Sequence, residues 1–170
     1  MENNRLAWSG TSWRMPLWLW LSLAAMAFST MHILLDFGVG LFPMQGTLSP
    51  AVAAMVVLIT IVHLWWVVSL AAGARGQAGG VASAAVLGLG WTLTINGAAI
   101  VFCMPPCKYS APLSDIGHIG SIVLGIMAPA AAIWTLWRAR GQGRIGWVLP
   151  AGALVLVVAT AYALSQTGPT

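Results

Sequence analysis

The chain has 170 residues, of which 59% are hydrophobic and only 6% are charged, and its formal net charge is +4. Soluble domains are roughly one quarter charged, so this composition, with a mean hydropathy of +0.89, excludes an ordinary soluble domain and predicts an integral membrane protein. The positive charge does not indicate a nucleic-acid partner, because it lies before the first apolar segment and in the short connections between segments.

Five apolar segments are long enough to cross a lipid bilayer, which takes roughly 20 helical residues. In chain order they cover residues 17–37, 51–72, 81–102, 113–137 and 147–164. The connections are short and rich in glycine and proline, so sequential helices are expected to be antiparallel neighbours. The sequence therefore predicts an all-α, polytopic membrane protein with one compact transmembrane domain over residues 1–170.

Basic residues are placed on one side of this predicted topology. Six of the seven precede the first segment or lie in the second and fourth connections, whereas Lys108 lies in the third: Arg5, Arg14, Arg75, Arg138, Arg140 and Arg144. This bias predicts a cytoplasmic N-terminus and an outer C-terminus in the plasma (inner) membrane of a bacterial-type cell. Seven of the ten tryptophans fall near the same cytoplasmic boundary: Trp8, Trp13, Trp18, Trp20, Trp134, Trp137 and Trp147.

The start of the chain has a second interpretation, as a signal peptide. Two arginines precede an apolar run, and the sequence Ala25-Met26-Ala27 has the form of a cleavage site. We favour a retained first helix, because the apolar run continues past this sequence to Phe37.

Histidine and aspartate occur as a close pair in two of the apolar segments. His32 and Asp36 are four residues apart in the first, and Asp115 and His118 are three residues apart in the fourth. Each spacing keeps both side chains on one helix face, and the helices run in opposite directions, so the pairs are expected to face each other near the outer end. Insertion of an aspartate into the hydrocarbon layer costs roughly 2.5 to 3.5 kcal/mol of free energy. Aspartates that are found there are therefore typical of a functional or water-filled interior.

The first pair belongs to a stripe of small and polar residues on one face of its helix: Ser22, Ala25, Ser29, His32 and Asp36. Such a stripe is expected to face the interior of the bundle and not the lipid. Two imidazoles and two carboxylates would complete a four-ligand site for zinc, copper, iron or manganese. Three alternatives remain: a metal-free His/Asp proton acceptor or polar ligand pocket, a haem held by the two histidines, and aspartates that merely cap helix ends.

Two further polar residues, Asn96 and His63, are candidate ligand-binding residues of the same chamber. Asn96 belongs to a stripe with spacings of three and four, made of Gly88, Thr92, Asn96, Ala99 and Cys103. The competing interpretation is close helix packing, with Asn96 as an interhelical hydrogen-bonding group. His63 lies near the middle of the second helix, beneath the others, where a structural role in packing is the alternative.

Cys103 and Cys107 flank two prolines in the predicted outer connection. Outside the cytoplasm such a pair usually oxidises, so a structural disulfide is predicted. A copper(I) site with Met104 or Met44 and a redox-active pair are the alternatives, the latter weakened because the spacing is not that of thioredoxin-like proteins.

Three classes of function follow from these patterns. The first is a membrane protein with an outward-facing His/Asp site that binds a transition metal or haem, for redox chemistry or metal handling. The second is a small transporter or ligand-binding protein that uses the same chamber, and the third is a subunit of a larger membrane complex.

The segment GQGRIG at 141–146 does not indicate dinucleotide binding, because it follows a membrane helix and not a strand.

Overall fold

The computed structural model describes residues 15–39, 50–97, 112–140 and 145–166, with side chains over 15–34, 53–97, 116–140 and 145–166. Five helices run through the described residues: α1 (Leu17–Val39), α2 (Pro50–Ala74), α3 (Ala78–Trp91, continued by a π-helical turn at Thr92–Asn96), α4 (Pro112–Arg138) and α5 (Val148–Gln166). All five are long and apolar enough to cross a membrane. They confirm the five predicted helices.

Local sequence explains where several helices begin and end. Proline occupies the first position of α2 and of α4, where its missing N–H group has no helical partner to lose. The helix α2 ends in a Schellman turn, in which Gly76 donates to Gly73 O at 2.9 Å and Gln77 donates to Ala72 O at 3.1 Å. Gly76 has a φ of 83°, a left-handed conformation that favours glycine.

The helix α3 lies at the centre of the bundle. In its membrane-length span 67% of the residues are buried, against 17% in α5. Gly80 allows the backbones of α2 and α3 to touch, since a Cβ there would lie 2.7 Å from the carbonyl oxygen of Ser69. One turn further along, the hydroxyls of Ser69 and Ser83 lie 2.7 Å apart and link the same two helices. Small residues thus make α3 the element around which the others pack.

Helix neighbours differ in part from the predicted order. The helix α3 packs against both α2 and α4 as expected. In contrast, α1 packs mainly along α4, although Trp18 approaches Gly73 of α2, and α5 packs mainly along α3. Among the described residues, the expectation that sequential helices are neighbours is therefore wrong for α1 with α2 and for α4 with α5. The short connections limit how far apart two helix ends can lie, but which faces pack depends on where the small residues sit.

The arginines in the described part of the chain lie at one end of the bundle. At that end the start of α1 meets the end of α2 at Trp18 and Gly73, and the start of α3 approaches the chain before α5 at Gly79 and Gly146. Arg75 follows α2 and Arg138 ends α4. We call this the basic end of the bundle and the other the His/Asp end.

The predicted sidedness can be tested with single cysteines placed at the two ends. We expect Gln77→Cys to react with an impermeant maleimide only after the membrane is permeabilised, and Gln166→Cys to react in intact cells. Both positions are exposed, and Cys103 and Cys107 are replaced by serine in the background. Labelling of position 77 in intact cells would contradict a cytoplasmic basic end.

Candidate functional site

His32 of α1 and His118 of α4 stack ring on ring. Their ring centroids are 4.6 Å apart, and the ring planes are 6° from parallel. His32 is buried, with 7% of its surface exposed, and His118 is half-buried. The structure thus places next to each other the two histidines that the sequence predicts to share a site.

Two glycines of α4 allow this close approach. A Cβ at Gly117 would lie 3.2 Å from the backbone nitrogen of His32, and a Cβ at Gly120 would lie 2.5 Å from Cδ1 of Phe28. Because the contacts move back along α1 as they move forward along α4, the two helices are antiparallel. The sequence analysis did not single out these two glycines, because their role depends on the distant helix that packs against them.

Asp36 and Asp115 lie one helical turn beyond the histidines, toward the His/Asp end. Asp36 follows His32 by about 6 Å along α1, and Asp115 precedes His118 by about 4.5 Å along α4. The antiparallel packing therefore puts the two aspartates at similar levels on neighbouring helices. Their side chains are outside the described part of the chain, so the carboxylate half of the predicted site stays a prediction. Among the residues that are described, no group of three or more His, Cys, Asp or Glu could hold a metal ion.

Asn96 lies one turn inward from His118 and faces α4. It is fully buried, and its side-chain oxygen lies 3.1 Å from the hydroxyl of Ser121. The described part of the α3 stripe faces the same helix, since a Cβ at Gly88 would touch Pro129 and one at Gly125 would overlap the hydroxyl of Thr92. The π-helical turn at Thr92–Asn96 locally widens the helix, a feature often found at functional sites.

The hydrogen bonds of Ser121 determine how the Asn96 amide is oriented. The Ser121 hydroxyl lies 2.9 Å from the carbonyl oxygen of His118 as well as 3.1 Å from Asn96. A hydroxyl has one proton and cannot donate to both. We assign that proton to the His118 carbonyl and turn the amide over, so that Asn96 donates its NH₂ to Ser121 and directs its carbonyl oxygen into the bundle.

Several buried polar atoms around this level have no hydrogen-bond partner among the described residues: Asn96 Nδ2, Ser29 Oγ and His118 Nε2. When the Asn96 amide is turned over, its nitrogen and oxygen exchange positions, so the unpartnered atom of Asn96 is then its oxygen. Ser29 lies one turn inward from His32, at the level of Ser121, so α1, α3 and α4 each contribute a polar side chain. Buried polar atoms are rarely left unsatisfied, so this level is suited to a bound water molecule or a polar ligand atom. Sequence analysis named Ser29 as part of the stripe but did not single out Ser121.

His63 lies apart from the histidine pair, among tryptophans of α2 and α3. Its ring is 4.8 Å from that of Trp91 in an edge-to-face arrangement and 6.4 Å from that of Trp66. Its Nδ1 donates to the carbonyl oxygen of Ile59 at 2.9 Å. The contact with Trp91 puts His63 about 7 Å further inward than Asn96 along the bundle. The structure therefore does not bring His63 into the group formed by His32, His118, Asn96 and Ser121.

The stacked arrangement limits how the two imidazoles could share an ion. The lone pair of an imidazole nitrogen lies in the plane of its ring, and two parallel planes do not meet at one point. A metal ion 2.0 to 2.1 Å from a nitrogen of each ring, the distances typical of zinc, therefore requires one ring to turn about its side-chain bonds.

Cys103 and Cys107, with the predicted disulfide, lie outside the described residues.

These features define a class: in the described residues, a bundle of five helices of membrane-spanning length with a stacked pair of histidines between α1 and α4. Comparison of the chain with models of known protein families, with characterised proteins and with solved structures finds no significant match.

Proposed function

We propose that this protein binds a transition-metal ion within the membrane, close to the His/Asp end of the bundle. The observation that carries the proposal is the ring-on-ring contact of His32 and His118 across α1 and α4. The chain has only three histidines, and two of them meet at one level of an apolar bundle. His118 Nε2 is buried without a hydrogen-bond partner among the described residues, which costs free energy, and metal coordination is a common use of such a nitrogen.

The ligands of the proposed ion are His32 and His118, with Asp36 and Asp115 as the carboxylates. Imidazole nitrogen and carboxylate oxygen together suit Zn²⁺, Cu²⁺, Fe²⁺ and Mn²⁺, and two of each give four ligands. The two carboxylates would also neutralise the charge of a divalent cation, which a low-dielectric surrounding requires.

The packing of the helices favours a single ion over a haem. A haem held by two axial histidines must fit between them, and each imidazole then approaches the iron from an opposite face. Gly117 brings the backbones of α1 and α4 into contact beside His32, which leaves no room for a macrocycle at that level.

The direct test is a metal titration of the purified protein. After treatment with a chelator, we expect the protein in detergent to bind about one Zn²⁺ or Co²⁺ per chain, with Co²⁺ giving the visible absorption of a site with four or five ligands. Binding should weaken as the pH falls, since protons compete for imidazole and carboxylate. Protein that binds neither Zn²⁺ nor Co²⁺, and none of Cu²⁺, Fe²⁺ and Mn²⁺, at micromolar concentrations would contradict the proposal.

A second candidate is the binding of a small polar solute in the same chamber, and the unpartnered polar atoms of Asn96 and Ser29 favour it. Asn96→Leu tests whether that level is occupied by a hydrogen-bonding partner. We expect this variant to lower the free energy of unfolding by about 1 kcal/mol. It removes the hydrogen bond between Asn96 and Ser121 and the one that the amide oxygen would make to a bound water or solute. A more stable variant would mean that the amide oxygen is buried without a partner, and would argue against a bound water or solute.

The cellular setting completes the proposal. We place the site at the outer side of the plasma membrane, in accordance with the distribution of arginines, and expect the cysteine pair of the adjacent connection to be oxidised there. Other membrane subunits are possible partners besides the lipid bilayer, and stoichiometric copurification would identify them.

A further inference from the structure

A stack of tryptophan and arginine side chains lies on the surface of α4 at the basic end. The rings of Trp134 and Trp137 are 5.1 Å apart and 23° from parallel. The guanidinium carbon of Arg138 lies 5.0 Å from the centre of the Trp134 ring, and that of Arg140 lies 4.6 Å from the centre of the Trp137 ring. All four side chains are exposed. We call these four residues the Trp–Arg stack.

The contact with the indole rings holds both guanidinium groups in place. A guanidinium that lies over an aromatic ring keeps the N–H groups at its edge available as donors. Such edges match the paired oxygens of a phosphate group, to which arginine can donate two parallel hydrogen bonds. Each arginine ordered in this way is therefore a better partner for a phosphate group than a freely moving side chain.

The acidic residues of the chain cannot balance this charge. Of the three, Asp36 and Asp115 lie at the His/Asp end, and Asp115 is 23 residues from Arg138 on the same helix, which is about 34 Å. The remaining one, Glu2, supplies a single negative charge against six arginines on its predicted side. The counter-charge of the Trp–Arg stack must therefore come largely from outside the chain.

We propose that the Trp–Arg stack binds the phosphate of an anionic phospholipid, such as phosphatidylglycerol. Exposed tryptophans at the end of a membrane-length helix lie at the level of the lipid headgroups, so the two guanidiniums are at the height of the phosphates. An anionic leaflet attracts basic residues near its surface, and contact with an ordered guanidinium adds hydrogen bonds to this attraction. This site is separate from the histidine pair and does not depend on metal binding.

Native mass spectrometry of the detergent-solubilised protein, with added phosphatidylglycerol or phosphatidylcholine, tests the proposal. We expect the whole protein to prefer phosphatidylglycerol, and the double variant with Arg138→Gln and Arg140→Gln to bind it at least about fivefold more weakly. Binding of phosphatidylcholine should not change. Arg138→Lys, which keeps the charge but loses the planar group, should fall in between.

Arg75→Gln is the matched control, because Arg75 is exposed at the same end and no described tryptophan lies under its guanidinium. We expect less than about a twofold change in phosphatidylglycerol binding. An equal loss in the Arg75 variant would show that only net charge matters and would overturn the proposal, as would the absence of any preference for phosphatidylglycerol. Helical circular dichroism of each variant verifies that the bundle is intact.

Discussion

Replacement of His118 by alanine is expected to abolish metal binding, with the affinity for Zn²⁺ or Co²⁺ reduced by at least about 100-fold. Removal of one imidazole leaves a single nitrogen ligand at the level where the two rings now stack, and the loss of even an outer-shell partner typically costs 10- to 100-fold. His32→Ala should have the same effect. The measurement is a competition titration against a chelator of known affinity.

His63→Ala is the matched control for both variants. It removes the third histidine of the chain, which lies in α2 against Trp91 and inward of the pair. We expect Zn²⁺ affinity to change by less than about threefold, even though the loss of the buried ring lowers stability by roughly 2 to 4 kcal/mol. If the His63→Ala variant did not bind the metal while the His118→Ala variant still bound it, the metal would have to be bound at α2 and not between α1 and α4.

Replacement of Gly80 by alanine should have the largest effect on folding. The added Cβ would overlap the backbone of α2, where the carbonyl oxygen of Ser69 would be 2.7 Å away and the carbonyl carbon of Ala72 would be 2.8 Å away. Backbone atoms cannot move aside as a flexible side chain can, so the central helix must shift. We expect a loss of about 3 kcal/mol in the free energy of unfolding.

Unfolding by SDS in mixed micelles measures this loss, and Gly146→Ala provides the control. A Cβ at Gly146 would have nothing within 4 Å, so its stability should remain within about 0.5 kcal/mol of that of the unchanged protein. If Gly80→Ala were as stable as Gly146→Ala, α2 and α3 would not be in backbone contact in the membrane.

The helices were predictable because a bilayer-spanning segment is defined by its own composition. Every residue of such a segment must be apolar or find a partner, so length and hydropathy suffice to locate it. Spacing also indicated that His32 and Asp36 share a face, since this depends only on helix periodicity. The same argument correctly predicted that Ser22, Ala25 and Ser29 are buried.

Helix pairing and the inner polar level depend on contacts between distant residues. Gly117 acquires its role only because α1 lies against it, and Ser121 is informative only beside Asn96. Nothing in the local sequence distinguishes a glycine that permits helix contact from one that faces lipid. For the same reason the sequence left His63 in the common chamber, although in the structure it packs with Trp66 and Trp91.

The pairing of α1 with α4 has a consequence for how the protein is made. His118 follows His32 by 86 residues, and at a synthesis rate of about 5 to 20 residues per second it is added roughly 4 to 17 seconds later. During that interval α1 has left the ribosome, yet the helix against which its polar stripe packs does not exist. The stripe must be accommodated by the insertion machinery or by lipid until α4 arrives. The contact between His32 and His118 therefore forms late in biogenesis, and a chain truncated before α4 should be a substrate for membrane quality-control proteases.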